Sequence, residues 1–410
     1  MSPQPTIDLE DLGLERGAHL LLAHALRKLS PGDRLEVRGR SPALPVHLRA
    51  WCRAQGHEVY WPHAAEGDTA DGPGPVVAHV IRGTAADARW HGAERAGAPD
   101  PRALGALSDE PSPSWGLAAR GAYVEAGAPA FHFPLDRKAE VWSDAAPAIY
   151  RQAAASQWDP ATAVPWDEPF ELDDDVEDAV VQVMTYLVEN ENAALVVPAR
   201  FLGQIHPHFR EVVAVLAVQV ADEARHVEVF TRRAQLKRGQ LGLSSVGGQA
   251  SLLTLLEEPE FALAHFLLSV LGEGTFLSLL SFLEHYAPDP VTRRVTHLAL
   301  ADEARHVAFG MAHVGSVLAR DPSLHSRLAA VVQQRHDALS HTAGLNQEVF
   351  DALVLLAAGS FNAKDIAKGF DRVQALEAEM DEGRRRRLTK LGFERDTAAA
   401  LASLHTRNFM

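Results

Sequence analysis

The chain has 410 residues, 47% of them hydrophobic, and a formal net charge of −15. Its length exceeds what one hydrophobic core usually serves and predicts two or three domains. The acidic balance argues against broad nucleic-acid binding. The single cysteine, Cys52, permits no intrachain disulfide and no thiolate metal cluster. Because residues 1–8 have no basic or apolar leader pattern, we expect a cytoplasmic protein.

Residues 1–90 predict a small α/β domain. Helical spacing covers 17–29 and 45–55, and strand patterns cover 34–38, 57–61 and 76–81. Cys52 falls on the second of these helices, where we expect it to pack in the core.

Three segments of this domain, 9–14, 26–37 and 41–57, resemble the small sulfur-carrier domain of the sulfurtransferase family. That family carries a persulfide on a Cys-Pro soon after the first strand. Here residues 13–17 read Gly-Leu-Glu-Arg-Gly, without a cysteine. The resemblance therefore implies a degenerate domain that transfers no sulfur. It leaves three roles open: docking a partner, covering a substrate entrance, or stabilising a homodimer.

Residues 91–165 are rich in Ala, Gly, Pro and Asp and have few periodic cues. This composition predicts an irregular connector with short elements that wraps the following domain. Its aromatic side chains could line a substrate entrance, but we expect them to pack near the surface: Trp115, Phe131, Phe133 and Trp142.

Residues 166–345 contain the heptapeptide Ala-Asp-Glu-Ala-Arg-His-Val twice, at 221–227 and at 301–307. In each copy Glu and His stand three residues apart, Glu223 with His226 and Glu303 with His306. This spacing puts both side chains on one face of a helix. A carboxylate and an imidazole aimed at one point form half a metal site. Two half-sites predict a pair of metals, and the carboxylate content favours iron or manganese.

Each half-site has a carboxylate upstream in an apolar run. Glu273 precedes Glu303 by 30 residues, and Glu191 precedes Glu223 by 32. A helical hairpin of this length returns both carboxylates to similar heights in adjacent antiparallel helices. Glu191 continues the apolar stripe of its helix and is preferred, with Glu189 as the alternative. His206 and His208 lie at the turn before the helix of Glu223, too far along it to bind the metals.

Glu273 is the only ionisable residue of the run 266–283. An ionised carboxylate left unpaired in an apolar bundle would cost several kcal/mol, and a metal removes that cost. The run is long enough to raise the question of a membrane span. Its central Glu and two Gly favour a buried core helix instead, so we expect no membrane insertion.

Glu191, Glu273 and the two Asp-Glu-Ala-Arg-His motifs resemble the signature of ferritin-like, oxygen-activating di-iron oxidases and oxygenases, over about residues 170–345. The resemblance implies a mainly α protein with a ferritin-like four-helix bundle. It implies two iron ions, with a manganese–iron pair as the alternative. The implied ligands are Glu191, Glu223, His226, Glu273, Glu303 and His306. Asp222 and Asp302 would accept the distal imidazole N–H, and Arg225 and Arg305 would hold those carboxylates.

The resemblance is specific for the metals and unspecific for the substrate. It implies oxidation of a small organic molecule by O2, with electrons from a ferredoxin or a reductase. Three alternatives stay open: a ferroxidase or iron store, a radical generator using Tyr186, and a binding module with a structural metal. Residues 346–410 predict a helical extension, in which we expect the basic run 384–387 to form a solvated helix face, with a docking patch for an acidic electron carrier or a nucleic-acid phosphate as the alternative.

Overall fold

The computed structural model describes residues 4–62, 75–340 and 347–404. It divides into two compact units, each described by itself below. Unit 1 comprises Met1–Arg95 with Ala122–Pro129, and unit 2 comprises Ala96–Gly121 with Ala130–Met410. The division into four domains at 90, 165 and 345 stays a prediction.

Unit 1 contains a four-stranded mixed sheet and two main helices. The strands are β1 Thr6–Asp8, β2 Arg34–Gly39, β3 Glu58–Tyr60 and β4 Val76–Ile81; the helices are α1 Ala18–Leu26, α2 Leu44–Gln55 and the short α3 Ala85–Arg89. The strand order is β1-β2-β4-β3, with β1 parallel to β2 and the other pairs antiparallel. A separate two-stranded ribbon pairs β5 Glu94–Arg95 with β6 Tyr123–Val124. The predicted strands and helices are confirmed, and β1 is an addition to them.

The core of unit 1 lies where α1 and α2 contribute their apolar faces. Leu22, Leu48 and Cys52 belong to one buried cluster with Val37 and Val80 of the sheet. Burial raises the pKa of the Cys52 thiol to about 12, so it stays protonated at neutral pH. The prediction that Cys52 packs in the core is confirmed.

Unit 2 is mainly helical. Its helices are α4 Lys138–Val141, α5 Ala146–Ala155, α6 Asp174–Leu202, α7 Arg210–Arg238, α8 Val246–Glu257, α9 Phe261–His265, α10 Glu273–Tyr286, α11 Pro290–Arg320, α12 Leu324–Leu339, α13 Gln347–Ala358, α14 Ala363–Lys390 and α15 Arg395–Ser403. A π-helical stretch, Phe266–Gly272, joins α9 to α10 without a break. Stretches of this kind occur mostly inside α-helices and often at functional sites.

Two buried apolar clusters reveal the directions of the central helices. One includes side chains from 180–187 of α6, 229–234 of α7, 276–283 of α10 and 291–299 of α11. The other includes side chains from 193–201 of α6, 212–216 of α7, 261–270 before α10 and 309–318 of α11. Thus α6 and α11 run from the first cluster to the second, whereas α7 and α10 run from the second to the first. Neighbours α6 and α7 are antiparallel, as are α10 and α11.

Because α7 and α10 run the same way, the chain must cross the length of the bundle between them. The segment containing α8 makes this crossover. Four helices with one long crossover are the ferritin-like arrangement. The predicted fold class, a ferritin-like bundle with further C-terminal helices and a small α/β region before it, is therefore confirmed.

The helix Phe261–Tyr286 is long and apolar enough to cross a membrane by length and composition. Within the protein, however, 78% of its most apolar stretch is buried. Its side chains fill both clusters, which is what a core helix does. On its outer side α14 packs against α10, and α13 packs against α6.

Candidate metal centre

A polar layer lies between the two apolar clusters, and each of the four central helices contributes to it. α6 carries Glu191, α10 carries Glu273, and α7 and α11 carry one Glu-x-x-His pair each. All six predicted ligands are buried. On each helix the apolar residues that pack in the two clusters lie along one face. The candidate ligands lie on the same face, between the clusters, and this explains why they are buried inside the bundle.

The six side chains form two overlapping groups. One contains Glu191, Glu223, His226 and Glu303, and the other contains Glu223, Glu273, Glu303 and His306. Within each group one donor atom from every residue lies within 4.8 Å of the others. Glu223 and Glu303 belong to both groups, so their carboxylates lie where they could bridge two ions. The cluster can hold two metal ions.

Distances within the layer show how closely the donors converge. His226 Nδ1 lies 3.1 Å from Glu223 Oε2, 3.3 Å from Glu303 Oε1 and 3.5 Å from Glu191 Oε2. His306 Nδ1 lies 3.0 Å from Glu223 Oε1 and 3.3 Å from Glu303 Oε2. Each imidazole therefore presents Nδ1 to both shared carboxylates.

The donor set fits two divalent ions of iron or manganese. Four carboxylates and two imidazoles match the oxygen and nitrogen preferences of these metals, and no thiol lies among them. Glu273 Oε2 is buried and has no hydrogen-bond partner in the part of the chain that the structure describes. A buried carboxylate oxygen without a partner is costly, and a metal ion would satisfy it.

Electrostatics in the layer follow from burial and from crowding of like charges. Burial raises the pKa of Glu191 well above its ordinary value, and the neighbouring Glu223 carboxylate raises it further. Burial and the Glu303 carboxylate do the same for the pKa of Glu273. Without metal, these two carboxylates thus tend to hold protons.

The two histidines show the opposite balance. Burial alone would lower the pKa of His226 and His306, but the Glu191 carboxylate beside His226 and the Glu223 carboxylate beside His306 raise both well above the ordinary value. Burial likewise opposes ionisation of Glu223, yet the His306 cation outweighs it and its pKa falls. Since metals bind deprotonated ligands, ions entering this layer displace protons.

Outside the layer, each distal imidazole nitrogen meets an aspartate from the other copy of the heptapeptide. His226 Nε2 lies 3.2 Å from Asp302 Oδ2, and His306 Nε2 lies 3.2 Å from Asp222 Oδ2. Burial raises the pKa of Asp302, but the hydrogen bond from His226 outweighs it and brings the pKa to about 2. An ionised aspartate accepts Nε2–H and leaves Nδ1 free to bind a metal.

The two motif arginines neutralise these aspartates. Arg225 donates to Asp222 and lies 3.4 Å from Asp302, and Arg305 donates to Asp302 and lies 3.8 Å from Asp222. Each arginine thus spans both aspartates. Both arginines lie beside the aspartates that the sequence analysis paired them with, and their role at the metal centre stays a prediction.

Three side chains that complete the site were not among the predicted residues. Trp158 Nε1 donates to Asp302 Oδ2 at 2.7 Å, and Gln157 Nε2 donates to Asp222 Oδ1 at 2.9 Å. Gln219 Nε2 donates to Glu273 Oε1 at 2.9 Å from within the bundle. Gln157 and Trp158 come from the connector, where no periodic pattern indicates a role. Gln219 precedes Glu223 by one helical turn on α7, and that spacing is the signal that could have found it.

A narrow cleft reaches the layer from one side. Part of its space is open to solvent at the mouth. Three of the six candidate ligands line it, Glu191, Glu273 and Glu303, and its other walls are mostly apolar: Ala194, Leu252, Leu255, Leu268 and Phe276. The cleft therefore borders three of the four candidate carboxylate ligands.

Other residues weighed from the sequence lie elsewhere. Glu189 is absent from both donor groups, whereas Glu191 belongs to the group that contains His226. His208 Nε2 accepts the Ser108 N–H at 2.9 Å, a structural contact away from the layer. Trp142 packs with Phe209 at a ring distance of 6.5 Å, and Tyr186 stacks on Phe276 at 6.0 Å. None of the four connector aromatics lines the cleft as described.

No family model matches the chain, and no curated protein matches it in sequence. Among solved structures, an R2-like ligand-binding oxidase with an aerobically reconstituted Mn/Fe cofactor matches at 17% identity and a TM-score of 0.41, covering 65% of this chain and 94% of that one. A variant with an aerobically reconstituted Fe/Fe cofactor matches at 18% identity and a TM-score of 0.42, covering 65% and 95%. These likenesses are weak, and the assignment of the fold depends on the geometry of the bundle described above.

Proposed function

We propose that the chain holds a pair of iron ions, with a manganese–iron pair as the alternative, and uses them with O2 to oxidise a small organic substrate. One observation carries this proposal: two overlapping donor groups share Glu223 and Glu303, and a mostly apolar cleft ends on three of their carboxylates. When bound, a pair of ferrous ions would supply the electrons that reduce O2.

The protein's own residues would hold and orient these ions. Glu191 and His226 would hold one ion and Glu273 and His306 the other, with Glu223 and Glu303 shared. Asp302 and Asp222 keep the Nε2 protons of the two histidines and so present Nδ1 to the centre. The Gln219 amide donates to Glu273 Oε1 and so holds this carboxylate in place, which leaves Glu273 Oε2 for a metal.

The walls of the cleft determine what reaches the centre. Leu252, Leu255, Leu268 and Phe276 exclude water from the space beside Glu191 and Glu273. A small molecule with an apolar body fits such a wall better than a sugar or a nucleotide. Electrons would come from a separate ferredoxin or reductase, because the single cysteine cannot hold an iron–sulfur cluster.

The cleft also bears on the alternatives. A ferroxidase or an iron store would need a polar route for ions, whereas the walls here are mostly apolar, and this favours an oxidase of organic molecules. A radical generator would use Tyr186, which is buried behind Phe276. Both alternatives stay predictions.

Metal analysis of matched variants tests the proposal. We expect about two irons per chain in protein produced in iron-rich medium. Glu191→Ala should lose at least one of them, and Glu223→Ala should lose both because it removes a shared carboxylate. Glu189→Ala, two residues from Glu191 and outside both donor groups, is the control and should keep full metal content.

The reaction is tested by reducing the loaded protein without oxygen and mixing it with O2 in a stopped-flow instrument. Oxidation of the metals within seconds, and faster or altered in the presence of a substrate, would support the oxidase. Reduced protein that is inert to O2 would contradict it and favour a structural metal. Iron loading that continues into the hundreds per chain would favour a store.

For unit 1 we keep the likeness to a sulfur carrier as a proposal about descent only. The chain order β1-α1-β2-α2-β3-β4 and the buried, protonated Cys52 are its supports. We expect no persulfide on Cys52 after incubation with a cysteine desulfurase and cysteine, as measured by mass spectrometry.

A further inference from the structure

The crossover between α7 and α10 contains a long stretch without charge. From Gly239 to Leu256 there is no Asp, Glu, Lys, Arg or His, although 23% of the residues of the chain are charged. A helix on the surface of a protein usually carries charged or polar residues on the side away from the core. The helix of this stretch, α8, lacks that pattern.

The apolar side chains of α8 point to two opposite sides. Leu252 and Leu255 are buried and line the metal-facing cleft. Their neighbours Leu253 and Leu256 are 51% and 38% exposed, and Val246 in the first turn is 73% exposed. A helix that is apolar on all sides is normally buried on all sides. The described residues of a single chain leave the outer side of α8 open to solvent.

The open side of α8 is part of a longer strip that follows α6. Before α8, the Leu243 N–H donates to Gln182 Oε1 at 2.8 Å, and Gln182 Nε2 donates to the Leu243 carbonyl at 2.9 Å. At the far end of α8, Arg200 of α6 donates to the carbonyl of Leu256. The crossover therefore runs beside α6 from Gln182 to Arg200, over roughly 27 Å at the rise of an α-helix.

Six large apolar side chains are exposed along this strip, and we call them the crossover patch. Each is between 38% and 73% exposed: Val196 of α6, one turn before Arg200, and Leu241, Leu243, Val246, Leu253 and Leu256. Together they expose on the order of 500 Å², which is near the upper end for the largest apolar patch of a typical monomer. With its polar border, the patch approaches the ~800 Å² that each partner buries in a standard interface.

The outward residues of α8 have the spacing of a seam between two helices. Val246, Gln249, Leu253 and Leu256 are all exposed, and they follow one another at intervals of three, four and three residues. This is the a/d spacing with which one helix packs against another, and a single polar residue in such a seam fixes the register. The outer side of α8 therefore fits another helix with the same spacing.

The charges that flank the uncharged stretch have opposite signs. Lys237 precedes it on α7 and donates to the Phe170 carbonyl at 3.0 Å, and the exposed Glu257 follows it on α8. Within the described segments neither side chain forms an ion pair. In a two-fold contact with antiparallel strips, Lys237 of each copy comes to the end that carries Glu257 of the other. The net charge of −15 opposes the alternative occupant, an anionic membrane surface.

We propose that the crossover patch is a homodimer interface, in which α8 packs antiparallel against α8 of a second copy. A two-fold contact brings the same surface of both chains together, so an uncharged seam meets an uncharged seam. Because the inner side of α8 lines the cleft, the second copy would support the cleft wall without entering the cleft. The patch contains none of the candidate ligands, and the inference stands without the proposed function.

Sedimentation equilibrium of the full chain tests this proposal. We expect a dimer at micromolar concentrations. Leu253→Glu puts two like charges into the apolar seam and should weaken association by about a hundredfold or more. Its circular dichroism should match that of the wild type, because Leu253 is exposed in the single chain. Leu104→Glu is the control, since Leu104 is fully exposed outside the patch, and this variant should stay dimeric.

Cross-linking gives a second readout. Cys52, the one cysteine of the chain, is buried and protonated, so it contributes little background reaction with maleimides. A flexible bis-maleimide should join two chains of Gln249→Cys through the seam, but not two chains of Leu104→Cys. The proposal is overturned if the wild type is a monomer, if Leu253→Glu dimerises like the wild type, or if Gln249→Cys and Leu104→Cys cross-link equally. A monomer that binds lipid vesicles through the patch would overturn it as well.

Discussion

Asp302 accepts a hydrogen bond from His226 at 3.2 Å, although the two residues belong to different copies of the repeated heptapeptide. Asp222 and His306 form the reciprocal pair at the same distance. Neither copy is therefore complete alone, because each supplies the aspartate that orients the other's histidine. The two pairs also fix how α7 and α11 align, since sliding one helix by a turn would break both.

Replacing Asp302 by asparagine should weaken metal binding. The amide oxygen of the Asp302→Asn variant could still accept the His226 N–H, but the side chain would not carry the charge that makes the imidazole a stronger donor. Loss of such a partner typically costs about tenfold to a hundredfold in metal affinity. Competition with a chromophoric chelator measures the affinity for ferrous or manganous ion. Asp371→Asn, on an exposed position of α14, is the control. Unchanged affinity in Asp302→Asn would contradict the role given to the pair.

Trp158 should affect the metals through Asp302. Its indole N–H donates to Asp302 at 2.7 Å, and its ring stacks on the His226 ring with 6.4 Å between the ring centroids. The guanidinium carbon of Arg225 lies 5.0 Å from the centroid of the Trp158 ring. Trp158→Phe keeps an aromatic ring but removes the donor, so we expect metal affinity to fall by about three- to thirtyfold.

A matched tryptophan distinguishes this effect from general destabilisation. Trp142 is also buried and donates to an aspartate, Asp144, at 2.7 Å, but it lies in the apolar cluster away from the layer. Trp142→Phe should lower the unfolding temperature without changing metal affinity. If both variants lose affinity equally, Trp158 has no specific part in the centre.

The six candidate ligands could be predicted from sequence because helix geometry is local. The Glu-x-x-His spacing determines a shared face, and an isolated Glu in an apolar run needs a partner whatever the fold. The same logic favoured Glu191 over Glu189, because Glu191 continues the apolar stripe of its helix, and the structure places Glu191 in a donor group. These inferences need only the spacing along each helix and a short hairpin between neighbouring helices.

The roles of Gln157 and Trp158 and the burial of Arg384 and Arg387 could not be predicted in the same way. The connector has no repeating pattern, and only the folded chain brings Trp158 to Asp302, 144 residues away. Arg384 and Arg387 look like surface residues by composition, but Arg384 is buried and Arg387 is partly buried, so the expectation of a wholly solvated basic run is wrong. Their burial depends on where α12 and α15 pack. Contacts between distant segments determine both features, and a single sequence does not reveal such contacts.

Arg233 should be essential for the stability of the bundle. It is fully buried on α7 and donates to Glu177 of α6 at 2.7 and 2.9 Å and to Asp289, which caps α11, at 2.8 Å. Arg233→Met leaves two buried carboxylates without their cation, so we expect a loss of about 3–5 kcal/mol in the free energy of unfolding. Urea denaturation measures it.

The neighbouring arginine provides the control for that measurement. Arg232 lies over the ring of Trp166 at 4.0 Å and is exposed. Arg232→Met should cost less than about 1 kcal/mol. Adding Glu177→Gln and Asp289→Asn to Arg233→Met should recover part of the loss, and a triple variant no more stable than the single one would contradict the charge argument.

The pair Arg120 and Glu211 should make stability depend on pH in the acid range. Arg120 Nη1 donates to Glu211 Oε2 at 2.7 Å, and the same guanidinium also donates to the carbonyls of Ala98, Pro99 and His208. Burial raises the pKa of Glu211, but Arg120 outweighs it and the pKa lies below the ordinary value of 4.5. A lowered pKa contributes stability that is present above 4.5 and is lost as the pH falls through the folded-state value.

Glu211→Gln should therefore differ most from the wild type at neutral pH. There it leaves Arg120 buried without its anion, at a cost of about 3–5 kcal/mol. As the pH falls below 4.5, protonation of Glu211 weakens the wild type in the same way, so the difference between the two proteins should shrink. Urea denaturation at about pH 7 and about pH 3.5 measures it, with Asp100→Asn as the control because the Asp100–Arg102 pair is exposed to solvent. A difference that stays constant between the two pH values would show that the charge of Glu211 does not stabilise the fold.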